Sequence, residues 1–128
     1  MSMPAWSNDD VEEGHTLSSS LGSITISSDA IAHIVGETAL ECYGVVGMAA
    51  KGPVRRLLGR ERLTQGIQIG RNGDGGVTID LHVVVEYGLN LAEVAATVRN
   101  RVGYEVGRLT GLPVRSVEVH IEDVRRSA

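Results

Sequence analysis

The 128-residue chain predicts an α+β domain of two layers, with two helices on one face of a mostly antiparallel sheet. Three observations predict it. Segments of two-residue and 3.6-residue hydrophobic period alternate in the order β-α-β-β-α-β; the strands are apolar on one side only; and each helix carries a single apolar stripe.

The first strand opens at Gly22, where Ile24 and Ile26 alternate with Ser23, Thr25 and Ser27. Ser28 or Asp29 can cap the helix that follows. Its Ile31, Ile34, Val35, Thr38, Ala39 and Cys42 share one side, and Gly44 suits its C-terminal stop. Residues 45–50 fit either a short strand or an irregular link. Strands over Gly66–Arg71 and Val77–Tyr87 flank Asn72-Gly-Asp-Gly-Gly76, a hairpin turn by composition. In the second of these, Val77, Ile79, Leu81, Val83, Val85 and Tyr87 point one way, and Thr78, Asp80, His82, Val84 and Glu86 the other. Asn90 and Glu93 begin a long helix with Leu91, Val94, Ala95, Val98, Val102, Val106 and Leu109 on one face; Gly111 and Pro113 end it. A last strand alternates Val117, Val119 and Ile121 with Ser116, Glu118, His120 and Glu122, ending near Val124. Small residues beside the stripes, Ala32, Gly36, Ala92, Ala96, Gly103 and Gly107, suit side-by-side helices.

Residues 1–21 are too poor in apolar groups to offset the entropy of ordering them, so a disordered acidic tail is expected there. The domain is expected over 22–125, with 126–128 as its C-terminal end. The chain has no apolar run long enough to span a bilayer and no secretory-type start, which predicts a soluble, intracellular protein. Its one cysteine, Cys42, excludes an internal disulfide and multi-cysteine zinc motifs. His33, nine residues away, falls on the opposite side of the helix, so Cys42 reads as structural rather than nucleophilic. Aromatics at 3% argue against recognition of single-stranded nucleic acid by stacking.

The formal net charge of −4 lies wholly in the first 22 residues. The segment from Lys51 to Gln65 is instead basic. Lys51, Arg55, Arg56, Arg60 and Arg62, beside Leu57 and Leu58, suit an anionic membrane surface, an acidic partner or phosphates, and form the first candidate interface. The acidic tail could fold over this segment and compete with a partner, while Trp6 reads as an exposed ring. The polar sheet face, with His82, Glu86, Glu118, His120 and Glu122, is the second candidate interface. Together with Asp80, its two imidazoles among carboxylates could hold a divalent metal; a solvated or partner-facing surface is the favoured reading, with no metal or cofactor. The glycines from Gly70 to Gly76 lack the helix and Lys-Ser/Thr pair of a phosphate loop. Gly44-Val-Val-Gly47 has the spacing of a KH-type clamp with valines where basic or polar residues are expected.

Four blocks, Gly22 to Ala32, Glu41 to Met48, Val77 to Ala96 and Thr110 to Val124, resemble the bacterial alkaline shock protein family of envelope stress response proteins, in the family's order. The resemblance covers residues 22–124. It implies a small cytoplasmic, non-enzymatic protein at the inner face of the membrane, acting by self-assembly or through a separate membrane-anchor protein, with no catalytic residue and no small-molecule substrate. The Arg-rich segment and the long acidic tail depart from the family's usual pattern. An RNA- or DNA-binding domain using residues 51–65 is the alternative reading, disfavoured by net charge and aromatic content.

Overall fold

A computed structural model describes residues 14–49 and 63–126. Strands β1 (Gly14–Ser19) and β2 (Gly22–Ser27) form an antiparallel hairpin. Helix α1 (Ser28–Glu41) follows at once. Then come β3 (Val45–Met48), β4 (Ile67–Arg71), β5 (Val77–Glu86), helix α2 (Leu91–Thr110) and β6 (Val114–Arg125). The α+β class and both helices stand as expected, with one additional strand at the front and Val45–Met48 resolved as strand.

β5 is the axis of the four-stranded sheet. Along one edge it pairs in parallel with β6 over its whole length, as a strand-helix-strand crossover through α2 requires. Along the other edge β4 and β3 lie end to end, β4 opposite Val77–Leu81 and β3 opposite Val83–Val85, both antiparallel. Between them the backbone of His82 makes the join. Its carbonyl accepts the Ala49 N–H at 3.0 Å, and its N–H donates to the Gly66 carbonyl at 2.9 Å. Gly66 has φ +73, and a Cβ there would sit 2.1 Å from the Ala49 carbonyl oxygen, so only glycine fits.

Both helices cover the same face of this sheet. Ile31, Val35 and Ala39 from α1 and Val94, Val98, Val102 and Val106 from α2 enclose Val77, Ile79, Leu81, Val83 and Val85. The helix ends are set by local chemistry. The Ser27 hydroxyl accepts the Ala30 N–H at 3.0 Å, one residue earlier than the expected cap. Asn90 Oδ1 accepts the Glu93 N–H at 3.0 Å, and Gly111 closes α2 in the left-handed region. Leu91 and Leu109 are exposed at the two ends of the α2 stripe, as are Tyr87 just past β5 and Ile24 in β2, all of them expected on apolar faces. Gly36 is tight against the backbone and side chain of Leu63 and Gly103 faces Val117, so these two glycines admit Leu63 and the strand β6 rather than the neighbouring helix.

The expected boundary of the disordered tail is corrected. Residues 14–19 pair one for one with β2, Leu17 packs against the core and His15 is buried. Two inward side chains and a ladder of backbone hydrogen bonds order a segment whose composition, averaged with residues 1–13, looks too polar. Residues 1–13, including Trp6 and the acidic cluster, lie outside the described residues, as do 127–128.

Candidate functional site

The polar face of the sheet brings side chains from β5 and β6 together through their register, which sets Asp80 opposite Glu118 and His82 opposite His120. Alternation sends all four to the face away from the helices. Beyond Ile121 the register steps, and Val84 pairs with Asp123, leaving Glu122 as the extra residue of a bulge. The carboxylate of Glu122 reaches back to His82, with Oε2 at 2.5 Å from Nδ1. An ionised carboxylate only accepts, so Nδ1 carries the proton and Nε2 points the other way.

The two imidazole rings stack with centroids 4.4 Å apart and planes 12° from parallel. Asp80 Oδ1 lies 2.7 Å from His120 Nε2 and 3.8 Å from His82 Nε2. These three atoms are shielded from solvent and have no hydrogen-bond partner, because the approach of His120 to Asp80 is close without being aligned for one. His82 itself is only 6% exposed, although it sits on the face expected to be solvated. Val84 on the same face is also buried.

Of the second candidate interface, the structure gathers His82, His120 and Glu122 and adds Asp80 as the fourth member. Glu118 is exposed beside Asp80 across the strand pair. Glu86 lies four residues along β5 from His82, roughly 13 Å by strand rise, and is not part of the cluster. The bulge was not readable from alternation, since a period of two assigns Glu122 to this face but gives no hint of its backward lean.

Lys51, Arg55, Arg56, Leu57, Leu58, Arg60 and Arg62 of the first candidate interface lie outside the described residues. The ends of that segment are fixed nevertheless. Ala49 and Gly66 both bond the His82 backbone, and Gln65 Nε2 donates to the Met48 carbonyl at 2.8 Å. Beside these ends Leu40, Val46, Leu63 and Arg125 line a shallow recess. The remaining sequence candidates resolve into structure. Cys42 is buried, its thiol donates to the Thr38 carbonyl at 3.4 Å, and burial pushes its pKa up. His33 pairs with Glu37 at 3.4 Å on the helix surface. Gly44 to Gly47 leads into β3 with Val45 buried, not into an open clamp, and Asn72 to Gly76 is the β4–β5 turn.

His15, on β1 and apart from the polar cluster, is a buried imidazole with no signal in the sequence pattern. Its Nε2 lies 3.1 Å from the Ser28 hydroxyl, and its buried Nδ1 has no partner. Burial, followed by the charge of Arg71, lowers its pKa below the usual 6.5.

Among known proteins, a family model for alkaline shock protein 23, described as cell envelope-related in function, matches residues 16–126. The chain is 37% identical over 108 residues to the uncharacterized protein YloU of Bacillus subtilis, covering 81% of this chain and 89% of the relative. It is 32% identical over 108 residues to the uncharacterized protein Spy1614 of Streptococcus pyogenes, covering 81% and 88%. A second Bacillus subtilis relative, the uncharacterized protein YqhY, is 31% identical over 108 residues, covering 82% and 78%. No solved structure gives a significant match. The family match begins inside β1 and runs through β6, taking in every element of the fold and the whole polar cluster, and the chain belongs to the alkaline shock protein 23 family, whose function is cell envelope-related.

Proposed function

We propose that this protein is a non-catalytic module that works by self-assembly and partner binding at the cytoplasmic face of the cell membrane, with a second copy of the chain pairing along β6. The observation that carries this reading is the open edge of the sheet. β6 is 12 residues long and, among the described residues, pairs only with β5. Its other side therefore presents a row of backbone donors and acceptors, which favours pairing with another strand. Two copies related by a two-fold axis would join their sheets antiparallel across this edge.

The basic segment supports the envelope side of the reading. Arginines beside leucines favour an anionic surface or an acidic protein, and the recess of Leu40, Val46, Leu63 and Arg125 adjoins the ends of this segment. A membrane-anchor protein is the partner class this surface suits. No helix among the described residues is long and apolar enough to cross a membrane.

Two measurements test the proposal. Mass by light scattering, at two salt concentrations and with or without vesicles containing anionic lipid, is compared between the wild type and a variant with Arg55, Arg56, Arg60 and Arg62 changed to Gln. Multimers or vesicle binding in the wild type, weakened by salt and by the arginine changes, is the expected result. Hydrogen exchange is followed in β6 as protein concentration rises. Amides facing away from β5 gain protection if copies pair there; a monomer with unchanged β6 exchange and no vesicle binding rules out both assembly and direct lipid contact.

A further inference from the structure

The polar cluster on β5 and β6 is built in a way that a merely solvated face is not. A sheet surface facing water leaves its imidazole nitrogens and carboxylate oxygens to water. Here Asp80 Oδ1, His82 Nε2 and His120 Nε2 are withdrawn from solvent, lack hydrogen-bond partners and lie within 4.8 Å of one another. Three polar atoms gathered this closely, withdrawn from solvent and without an aligned hydrogen bond, are a costly arrangement unless something positive sits among them.

We infer that Asp80, His82 and His120 form a binding site for a borderline divalent cation of the zinc class, with Glu122 orienting His82 from behind. The donor set is two imidazole nitrogens and one carboxylate oxygen, which suits zinc and its transition-metal neighbours and not magnesium or calcium, whose ligands are oxygens. The distances are near those needed. Ligands at about 2.0–2.2 Å from a tetrahedral ion stand about 3.3–3.5 Å from each other, and the two separations from Asp80 Oδ1, 2.7 and 3.8 Å, bracket that span. In the stacked arrangement the two Nε2 lone pairs run side by side, so one ring must swing to converge. His120 is the ring free to do so, being 43% exposed, while His82 is enclosed and held.

The hold on His82 is the feature most particular to metal sites. A ligating imidazole typically donates its other ring N–H to a carboxylate, which fixes the tautomer and the ring plane. The Glu122 bond to Nδ1 does this, and the bulge at residue 122 is the backbone device that brings the carboxylate there. Three protein donors leave a fourth position for water. A bound ion would also link neighbouring strands that are far apart in sequence, as a clip between β5 and β6. The inference does not depend on assembly or on the basic segment.

The test uses the full, untagged chain after chelator treatment. Zinc binding is measured by titration calorimetry with the bound metal counted by mass spectrometry, and cobalt provides a visible spectrum whose intensity reports tetrahedral geometry. One zinc per chain is expected, with a rise in Tm that magnesium does not reproduce. His120→Gln and Asp80→Asn, both at partly exposed positions, should abolish binding and the cobalt spectrum while leaving circular dichroism unchanged. Glu122→Gln should weaken affinity about 10- to 100-fold. His33→Gln, which removes the separate His33–Glu37 pair, should leave binding intact. No zinc uptake by the wild type, or uptake unaffected by His120→Gln and Asp80→Asn, overturns the inference.

Discussion

At the scale of single residues, burial decides behaviour more than residue type does. His15 is a polar residue 3% exposed at the joint between the hairpin and α1. Because its folded pKa lies below the ordinary 6.5, the folded state resists the proton that the unfolded chain accepts. Its contribution to stability is therefore complete above about pH 6.5 and is lost as pH falls through that value toward the lower folded pKa. Denaturant midpoints measured from pH 8 to 5 should decline on the acid side, and His15→Asn should flatten that decline. Cys42 illustrates the opposite sign. Enclosed between α1 and the sheet, with its pKa raised chiefly by burial, it should react with a disulfide reagent only as fast as the domain opens. Addition of denaturant past the unfolding midpoint should release one titratable thiol at once.

At the scale of elements, the parts legible in the sequence were those whose signal is local. The α1 stripe, the Asn72–Gly76 turn, the Asn90 cap and the Gly111 stop each act within a few residues of themselves, and each stands where its chemistry put it, whereas of the alternating pair in β2 Ile26 packs against the core and Ile24 is exposed. Asn90→Ala should cost about 1 kcal/mol, read as a shift in the denaturant midpoint with unchanged slope, because the Glu93 N–H loses its acceptor. What escaped the sequence was non-local. β1 is a strand only because β2 pairs with it, and Leu17 alone among polar neighbours gives no period to detect. The polar cluster was legible as a list of residues on one face, but which of them meet depends on the parallel register of β5 with β6 and on the bulge at Glu122. Glu86 and His82 share a face by the same periodicity, yet only His82 falls beside His120.

On the scale of the whole molecule, the join at His82 sets how the domain can vary. The chain leaves the sheet at Ala49 and returns at Gly66, and both points are pinned to one residue of the central strand, with Gln65 bonding Met48 across the gap. The ends of the intervening segment are thus held at a fixed separation whatever its length. The sheet acts as a socket whose opening, between Ala49 and Gly66, is gauged by one residue of its central strand and not by the segment it brackets.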